Sequence, residues 1–205
     1  VRGWEHDCGS AAPTASSAPT AAPSARATDP TRTPTPRPTV NCASVSFAAR
    51  YTISGDVAVA QAVSAADVDG DGDIDPIAAS NYDDGIAWYE NDGAQSFSGW
   101  DITKLAAGAR AVFAIDVDRD GDADLLAASE NDDTVAWYEN DGSQSFTERI
   151  ISSTADGVSS IFAIDVDGDG DVDVLSASVY DDTVAWYEND GSQSFTERVV
   201  APSAD

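Results

Sequence analysis

Three short acidic segments carry the clearest chemical signal in this sequence of 205 residues. They read DVDGDGDID at Asp67 to Asp75, DVDRDGDAD at Asp116 to Asp124 and DVDGDGDVD at Asp165 to Asp173, and they share the pattern D-x-D-x-D-G-x-x-D. Alternating carboxylates on a tight turn, with Gly where the backbone bends sharply, supply the oxygen ligands that a hard cation such as Ca2+ needs. The pattern therefore predicts about three calcium ions per chain, one in each segment.

In each segment we expect four Asp side chains to converge on one ion, joined by the backbone carbonyl of the Asp at the seventh position. The Gly at the sixth position permits the turn that brings these oxygens together. Without a cation, carboxylates held this close would repel one another, and some of them would have to protonate. The predicted metal ligands are Asp67, Asp69, Asp71, Asp73, Asp75, Asp116, Asp118, Asp120, Asp122, Asp124, Asp165, Asp167, Asp169, Asp171 and Asp173.

An EF-hand is the obvious competitor, because its loop opens with the same pattern. An EF-hand also requires a bidentate Glu at position twelve, where this sequence has Ala78, Ala127 and Ser176. The flanking segments have the pattern of strands rather than helices. The EF-hand interpretation is therefore rejected, and Mg2+ is disfavoured because it prefers octahedral coordination with retained waters.

Segments of strand type surround each acidic loop. In the clearest unit, VFAIDV precedes the loop, DLLAAS follows it, TVAWYE comes after an Asn-Asp-Asp turn, and SQSFTERII comes after Asn-Asp-Gly, which is a strong tight-turn signal. The units recur every 49 residues (116 − 67 and 165 − 116). Four antiparallel strands at such a period are the signature of a β-propeller blade. The sequence therefore predicts an all-β chain with about three four-stranded antiparallel blades.

We place the repeats at 44–205, with an outer strand at 44–54 and blades at about 58–104, 107–153 and 156–201. Three blades are too few to close a propeller, which typically has four to eight. We therefore expect a fragment of a larger propeller, completed by further blades; the other interpretation is that chains associate, for example two chains giving six blades. Residues 1–43 are rich in Pro, Thr, Ala and Ser without apolar periodicity, which predicts a disordered linker or stalk.

The composition narrows the classes of function. The net charge of −27 is expected to repel nucleic acid and anionic lipid, because phosphate binding depends on Lys and Arg. The sequence has no apolar run long enough to insert into a membrane. Cys8 and Cys42 either form a disulfide in an oxidising compartment or are two unrelated thiols. His6 is the only His, so no Ser-His or Cys-His arrangement can be built on the repeats, and we expect no enzyme.

The acidic segment, followed by a strand and then by DD-[GT]-[IV]-AWYENDG, resembles the FG-GAP/VCBS repeats of integrin-α-type β-propellers. The resemblance covers about 44–200. It implies a seven-bladed propeller with calcium in the loop between the first and second strands of a blade. It also implies a secreted or cell-surface location, since the family's members are mostly extracellular adhesion, receptor or carbohydrate-associated proteins.

From this resemblance we expect a calcium-binding module for adhesion or ligand recognition. Its partner would be a protein or a glycan at the cell surface or in the matrix. One alternative is a lectin-like propeller that binds carbohydrate. Another is a non-catalytic accessory domain of a larger secreted enzyme.

A Trp-Tyr pair recurs in the third strand of each unit, at Trp88-Tyr89, Trp137-Tyr138 and Trp186-Tyr187. Adjacent residues in a strand point to opposite faces. Because the pairs occupy the same position in every unit, we favour packing between blades over a platform for sugars. The Asp-Asp turns between the second and third strands, together with the segments between blades, form the face that we expect a partner to contact.

Overall fold

The computed structural model describes residues 52–55 and 57–201, and within these ranges the chain contains β-strands and no helix. The prediction of an all-β chain is confirmed. The predicted linker at 1–43 lies outside the described residues, as does most of the outer strand predicted at 44–54, and residues 52–55 are not part of a strand. No helix that could span a membrane is found in the described part of the chain.

The described strands form three four-stranded antiparallel sheets, each in simple sequence order. We call them blades 1, 2 and 3; they are blades of the propeller type, as predicted. Blade 1 contains β1 (Ala60–Ala66), β2 (Asp75–Ser80), β3 (Gly85–Asn91) and β4 (Phe97–Thr103). Blade 2 contains β5 (Ala109–Ile115), β6 (Asp124–Ser129), β7 (Thr134–Asn140) and β8 (Phe146–Ser152). Blade 3 contains β9 (Val158–Ile164), β10 (Asp173–Ser178), β11 (Val184–Asn189) and β12 (Phe195–Ala201).

The connections inside a blade follow the sequence signals. An acidic loop joins the first strand to the second, an Asp-Asp turn joins the second to the third, and an Asn-Asp-Gly turn joins the third to the fourth. In this up-and-down order the acidic loops and the Asn-Asp-Gly turns share one edge of a blade. Among the second strands of the three blades, β6 of blade 2 is the most deeply buried, because all six of its residues are buried. The fourth strands are largely exposed, so the core lies between the inner strands of neighbouring blades.

Each blade has two faces: the forward face points to the next blade in sequence and the backward face to the preceding blade. Two apolar clusters fill the spaces between blades 1 and 2 and between blades 2 and 3. Trp137 belongs to the cluster shared with blade 3, whereas its neighbour Tyr138 belongs to the cluster shared with blade 1. Both are almost completely buried. The expectation that the Trp-Tyr pairs pack between blades is confirmed for this pair.

The Asp-Asp turns fix the start of the following blade. Asp84 adopts a left-handed backbone conformation, and its carboxylate accepts a hydrogen bond of 2.8 Å from the backbone N–H of Gly108, just before β5. Asp133 makes the equivalent bond to the N–H of Gly157, at 2.9 Å. The second acid of these two turns therefore holds two blades together, whereas the first acid of the blade 1 turn, Asp83, accepts a hydrogen bond of 2.9 Å from the backbone N–H of Ala58.

Candidate metal centre

In each acidic loop, Asp side chains accept hydrogen bonds from backbone N–H groups of the same loop. In blade 1, the Asp67 side chain accepts hydrogen bonds from the backbone N–H groups of Gly70, at 2.9 Å, and Gly72, at 3.0 Å. Asp69 and Asp71 each accept one from the residue two positions later. The same bonds recur in the loops of blades 2 and 3. Gly72 has a φ of 96°, a conformation open to Gly but costly for other residues.

Three carboxylates in each loop come close enough to share one cation. Each contributes an oxygen, and within a loop these oxygens all lie within 4.8 Å of one another. The first and third positions of the loop take part in every blade, joined by the fifth position in blade 1 and by the ninth position in blades 2 and 3. The groups are Asp67, Asp69 and Asp71; Asp116, Asp118 and Asp124; and Asp165, Asp167 and Asp173.

The Asp at the ninth position ties the loop to the third strand. Asp124 is completely buried, and its two oxygens accept hydrogen bonds from the backbone N–H groups of Val117, at 3.0 Å, and Asn140, at 2.8 Å. Asp75 and Asp173 make the same two bonds in their blades. A carboxylate has about four lone-pair sites, so two amide bonds leave capacity for a cation. The ninth position thus combines a structural bond with the predicted role as a ligand.

The Asp at the seventh position directs its side chain to the Asn-Asp-Gly turn. A Cβ atom added to Gly93 would lie 2.5 Å from the Oδ2 atom of Asp73, and Gly142 and Gly191 meet Asp122 and Asp171 in the same way. This side chain therefore packs against the turn, whereas the sequence prediction used only its backbone carbonyl as a ligand. Each acidic loop therefore packs on the Asn-Asp-Gly turn of its own blade through this side chain.

The electrostatics of the loops favour a bound cation. Burial raises the pKa of Asp124 to about 6. Burial, followed by the charges of neighbouring carboxylates, also raises the pKa values of Asp69 and Asp118. These shifts mean that the ionised carboxylates are unfavourable where they stand. Ca2+ would relieve that cost, and an all-Asp donor set suits a hard cation rather than a metal that prefers nitrogen or sulfur.

Six of the fifteen predicted ligands lie outside the three close groups. Asp71 is a member of its group in blade 1, but its equivalents in the other blades are not members, and the reverse holds for the ninth position. These six residues hold hydrogen bonds of the loop or pack on the neighbouring turn. They are Asp73, Asp75, Asp120, Asp122, Asp169 and Asp171. The complete ligand set stays a prediction.

Two links between acidic loops and neighbouring blades were not evident in the sequence. Asn140, at the end of β7, donates from its side chain to the backbone carbonyl of Val68 in the loop of blade 1, at 3.0 Å. Arg119, in the loop of blade 2, lies 2.9 Å from the carboxylate of Asp171 in the loop of blade 3. The sequence offered one indication of the second link: Arg119 departs from the repeat, since the other two loops have Gly at this position.

A third contact supports the same edge of the blade. The guanidinium group of Arg149 lies 5.3 Å from the centre of the Trp137 ring and forms an ion pair with Glu139. Arg198 repeats the arrangement in blade 3 with Trp186 and Glu188. The cross-strand pairing of Trp137 with Arg149 positions these groups. The Glu after each of these Trp-Tyr pairs is thus engaged in a cross-strand ion pair.

Repeated four-stranded blades, each with an acidic loop between its first and second strands, define a repeat protein of the β-propeller type. The sequence model of the FG-GAP-like repeat matches residues 67–127, 116–176 and 165–205, which together cover more than half of the chain. The chain belongs to the FG-GAP-like repeat family, as the resemblance in the sequence indicated. A search of curated proteins found no match to this chain.

Proposed function

We propose that the chain is a calcium-dependent binding module that works outside the cell or at its surface. The observation that carries this proposal is the grouping of three carboxylates within 4.8 Å in each of three equivalent loops. When bound, calcium would neutralise these carboxylates and make the loops rigid. The ion has a structural role in this proposal, and the availability of calcium is linked to folding.

An extracellular location suits this role. Calcium sites of extracellular modules bind with dissociation constants of about 0.1 to 1 mM, and the loops here are exposed at one edge of each blade. Membership of the FG-GAP-like repeat family favours the same location. Intracellular calcium would leave sites of this affinity largely without metal, and the repulsion within each loop would then persist.

The partner in this proposal is a protein or a glycan of the cell surface or the matrix. The Asp-Asp turn edge carries exposed Tyr82 next to exposed Asp83, and exposed Tyr180, whose hydroxyl donates to the carboxylate of Glu130 at 3.1 Å. Aromatic side chains next to hydrogen-bond acceptors are common in recognition surfaces. Nucleic acid is a poor candidate because the net charge is −27. Binding is favoured over catalysis because the carboxylates of the repeats serve the same local purposes in every blade.

The experiment that tests the proposal is a calcium titration of the chain after removal of metal with EDTA. We expect about three ions per chain by calorimetry and a large rise in melting temperature. Asp118→Asn should remove one ion and lower the melting temperature in calcium. Asp101→Asn is the matched control, because Asp101 lies outside the acidic loops and its exposed carboxylate pairs with Lys104. A chain that binds no calcium, or binds it without gaining stability, contradicts the proposal.

A lectin-like function is the second candidate, and one feature of blade 1 favours it. Trp100 is 53% exposed, and its indole N–H donates to Glu90 at 2.9 Å. It borders a cleft of about 300 Å3 to which Asp69 and Gln144 also contribute. Sugars bind well where an aromatic ring lies beside hydrogen-bonding groups. Glycan-array binding that is lost in Trp100→Ala but kept in Tyr82→Ala would favour this function.

A further inference from the structure

In blades 2 and 3, an Arg side chain of the fourth strand is held by a Trp and a Glu of the third strand. The guanidinium group of Arg149 lies 5.3 Å from the centre of the Trp137 ring and pairs with Glu139. Arg198 is placed in the same way in blade 3, 5.5 Å from the centre of the Trp186 ring. The Trp and Glu positions of a blade therefore form a site that accepts a guanidinium group.

Blade 1 has the same Trp and Glu but lacks the Arg. Trp100, which pairs with Trp88 across the strands, stands at the position that Arg occupies in the other two blades. The indole N–H of Trp100 donates to Glu90 at 2.9 Å. An indole replaces the hydrogen bond of a guanidinium but not its charge, and one such bond leaves a carboxylate with capacity for further donors. Glu90 therefore has no cross-strand cation, unlike Glu139 and Glu188.

A cleft of about 300 Å3 lies beside the Glu90 carboxylate, at the internal junction between blade 1 and the segment that follows the Asn-Asp-Gly turn of blade 2. Among the described residues that line the cleft there is no Lys or Arg, but there are three acids, Asp69, Glu90 and Asp101. Asp101 pairs with Lys104, so Glu90 and Asp69 supply the remaining charge. Trp100 also lines the cleft and is 53% exposed. The cleft thus combines an accessible aromatic side chain with a negative charge.

We propose that this cleft binds an Arg side chain presented by a partner protein, with the guanidinium group pairing with Glu90 and lying against the ring of Trp100. A planar guanidinium suits a carboxylate beside an aromatic ring, because it can donate two parallel hydrogen bonds and stack on the ring. The exposed side chains of Ser143 and Gln144 offer further acceptors for its N–H groups. As part of the binding module proposed above, on which this assignment rests, the cleft would select a partner protein by an exposed Arg.

Other ligand classes match the cleft less well. A neutral sugar would cover Glu90 without bringing a positive charge, and a carboxylate that loses its water without gaining a partner charge is unfavourable. A Lys ammonium carries the charge, but it cannot stack as a planar group or donate paired hydrogen bonds. The repeats themselves have Arg, and not Lys, beside the equivalent Trp and Glu in blades 2 and 3.

The test is a titration of the calcium-loaded chain with a blocked tripeptide that has Arg between two Gly residues. Binding is followed by NMR through the indole N–H signals of Trp88 and Trp100, which both line the cleft; where Trp100 is replaced, the Trp88 signal is used. We expect saturable displacement of these signals. The citrulline version of the peptide, which is similar in shape but uncharged, should cause none, and the Lys version should bind several-fold more weakly.

Variants separate this site from the general attraction of a negatively charged chain for a cation. Glu90→Gln should weaken binding of the Arg peptide about tenfold, because the hydrogen bonds to a charged group are lost. Trp100→Arg should abolish binding, because the new guanidinium would pair with Glu90 as Arg149 pairs with Glu139. Glu197→Gln is the matched control: it removes an equal charge from the exposed part of β12 in blade 3 and should bind the peptide like the original chain.

Each variant should keep the cooperative melting transition of the original chain in excess calcium, which shows that its blades are folded. A chain that binds calcium but not the Arg peptide overturns this assignment alone, whereas failure to bind calcium is a separate result that contradicts the proposed function. Equal binding of the Arg peptide and either of the other two peptides overturns the assignment, as does an equal loss of binding in Glu197→Gln and Glu90→Gln. Displacement of the same signals by a neutral glycan and not by the Arg peptide would assign the cleft to sugar instead.

Discussion

Asp124 has two roles that conflict when no cation is present. Its oxygens accept backbone N–H groups from Val117 and Asn140, which requires it to be buried. Burial raises its pKa to about 6, so near neutral pH the ionised form is held in a place that disfavours charge. The proposed calcium ion would relieve this conflict, because the same carboxylate that organises the backbone adds to the negative charge of the loop.

The raised pKa of Asp124 predicts opposite pH dependences with and without calcium. Without calcium, the folded chain holds the proton more tightly than the unfolded chain, whose Asp pKa is near 3.8. The contribution of this group to stability is therefore greatest below about pH 4 and is lost as the pH rises to about 6, a change on the order of 2 kcal/mol. In excess calcium, acidification should instead destabilise the chain, because protons displace the metal.

Thermal melts between pH 4 and 7, with EDTA and with calcium, check this prediction. The melting temperature should fall with rising pH in EDTA and rise with pH in calcium. Asp124→Asn should reduce the dependence of the melting temperature on pH in EDTA, because the amide that replaces the carboxylate cannot ionise. Melting temperatures that rise with pH in EDTA would show that Asp124 is not held against its ionisation.

Arg119 should weaken calcium binding to the loop of blade 3. Its guanidinium lies 2.9 Å from the carboxylate of Asp171 and brings a positive charge close to that site. At a separation of roughly 6 Å in water, a unit charge and Ca2+ repel by about 1 kcal/mol. Arg119→Gly, which recreates the Gly found in the other two loops, should tighten binding there from a few-fold to about tenfold at low salt.

Calorimetric titration of the Arg119→Gly chain at low and high salt measures this effect, which should shrink as salt screens the charge. The stability of the metal-free chain should change little. The variant loses a surface ion pair worth up to about 1 kcal/mol and also relieves a left-handed Arg, whose φ is 64°. Lys104→Gln is the control, because it removes an equal charge from blade 1, outside the acidic loops. Identical affinities in both salts would contradict the prediction.

The element that completes each acidic loop is the Asn-Asp-Gly turn. Gly142 has a φ of 73°, and a Cβ atom there would lie 2.4 Å from the carboxylate of Asp122. Gly70 has a similar φ of 77° but open space around it. Gly142→Ala should therefore cost more than Gly70→Ala, by roughly 0.5 to 1 kcal/mol, because both replacements strain the backbone but only the first displaces a loop side chain.

Thermal melts of the two variants in excess calcium compare these losses of stability. Calcium titration shows which blade loses calcium affinity. Gly142→Ala should weaken one calcium site, that of blade 2, because Asp122 must move with its loop. Gly70→Ala should leave the affinity of blade 2 unchanged. Equal losses of stability in the two variants would mean that the turn and the loop are independent.

Strands and loops could be predicted from the sequence because their signals are local. The alternation of Trp137 and Tyr138 separates two faces, and the Gly and Asp pattern of the loops defines a turn without reference to any other segment. The contacts that span segments were not predictable in this way. The packing of Asp122 on Gly142 and the link from Arg119 to Asp171 depend on how turns and blades are arranged in space. A linear pattern does not contain that geometry.

At the scale of the whole molecule, the described blades form a row in which each blade packs only on its neighbours. The stability of such a repeat array is approximately the sum of the blades and of the junctions between them. Blade 2 is part of both internal junctions, and its acidic loop edge takes part in each: Asn140 bonds to blade 1 and Arg119 pairs with blade 3. Blades 1 and 3 each take part in one.

Loss of calcium from the middle blade should therefore destabilise the molecule more than loss from either end. Asp69→Ala, Asp118→Ala and Asp167→Ala remove the same loop position from blades 1, 2 and 3. In excess calcium, Asp118→Ala should lower the melting temperature about twice as much as either of the other two variants, because two junctions loosen instead of one. In EDTA the three variants should differ little. Equal losses in calcium would mean that each blade melts alone.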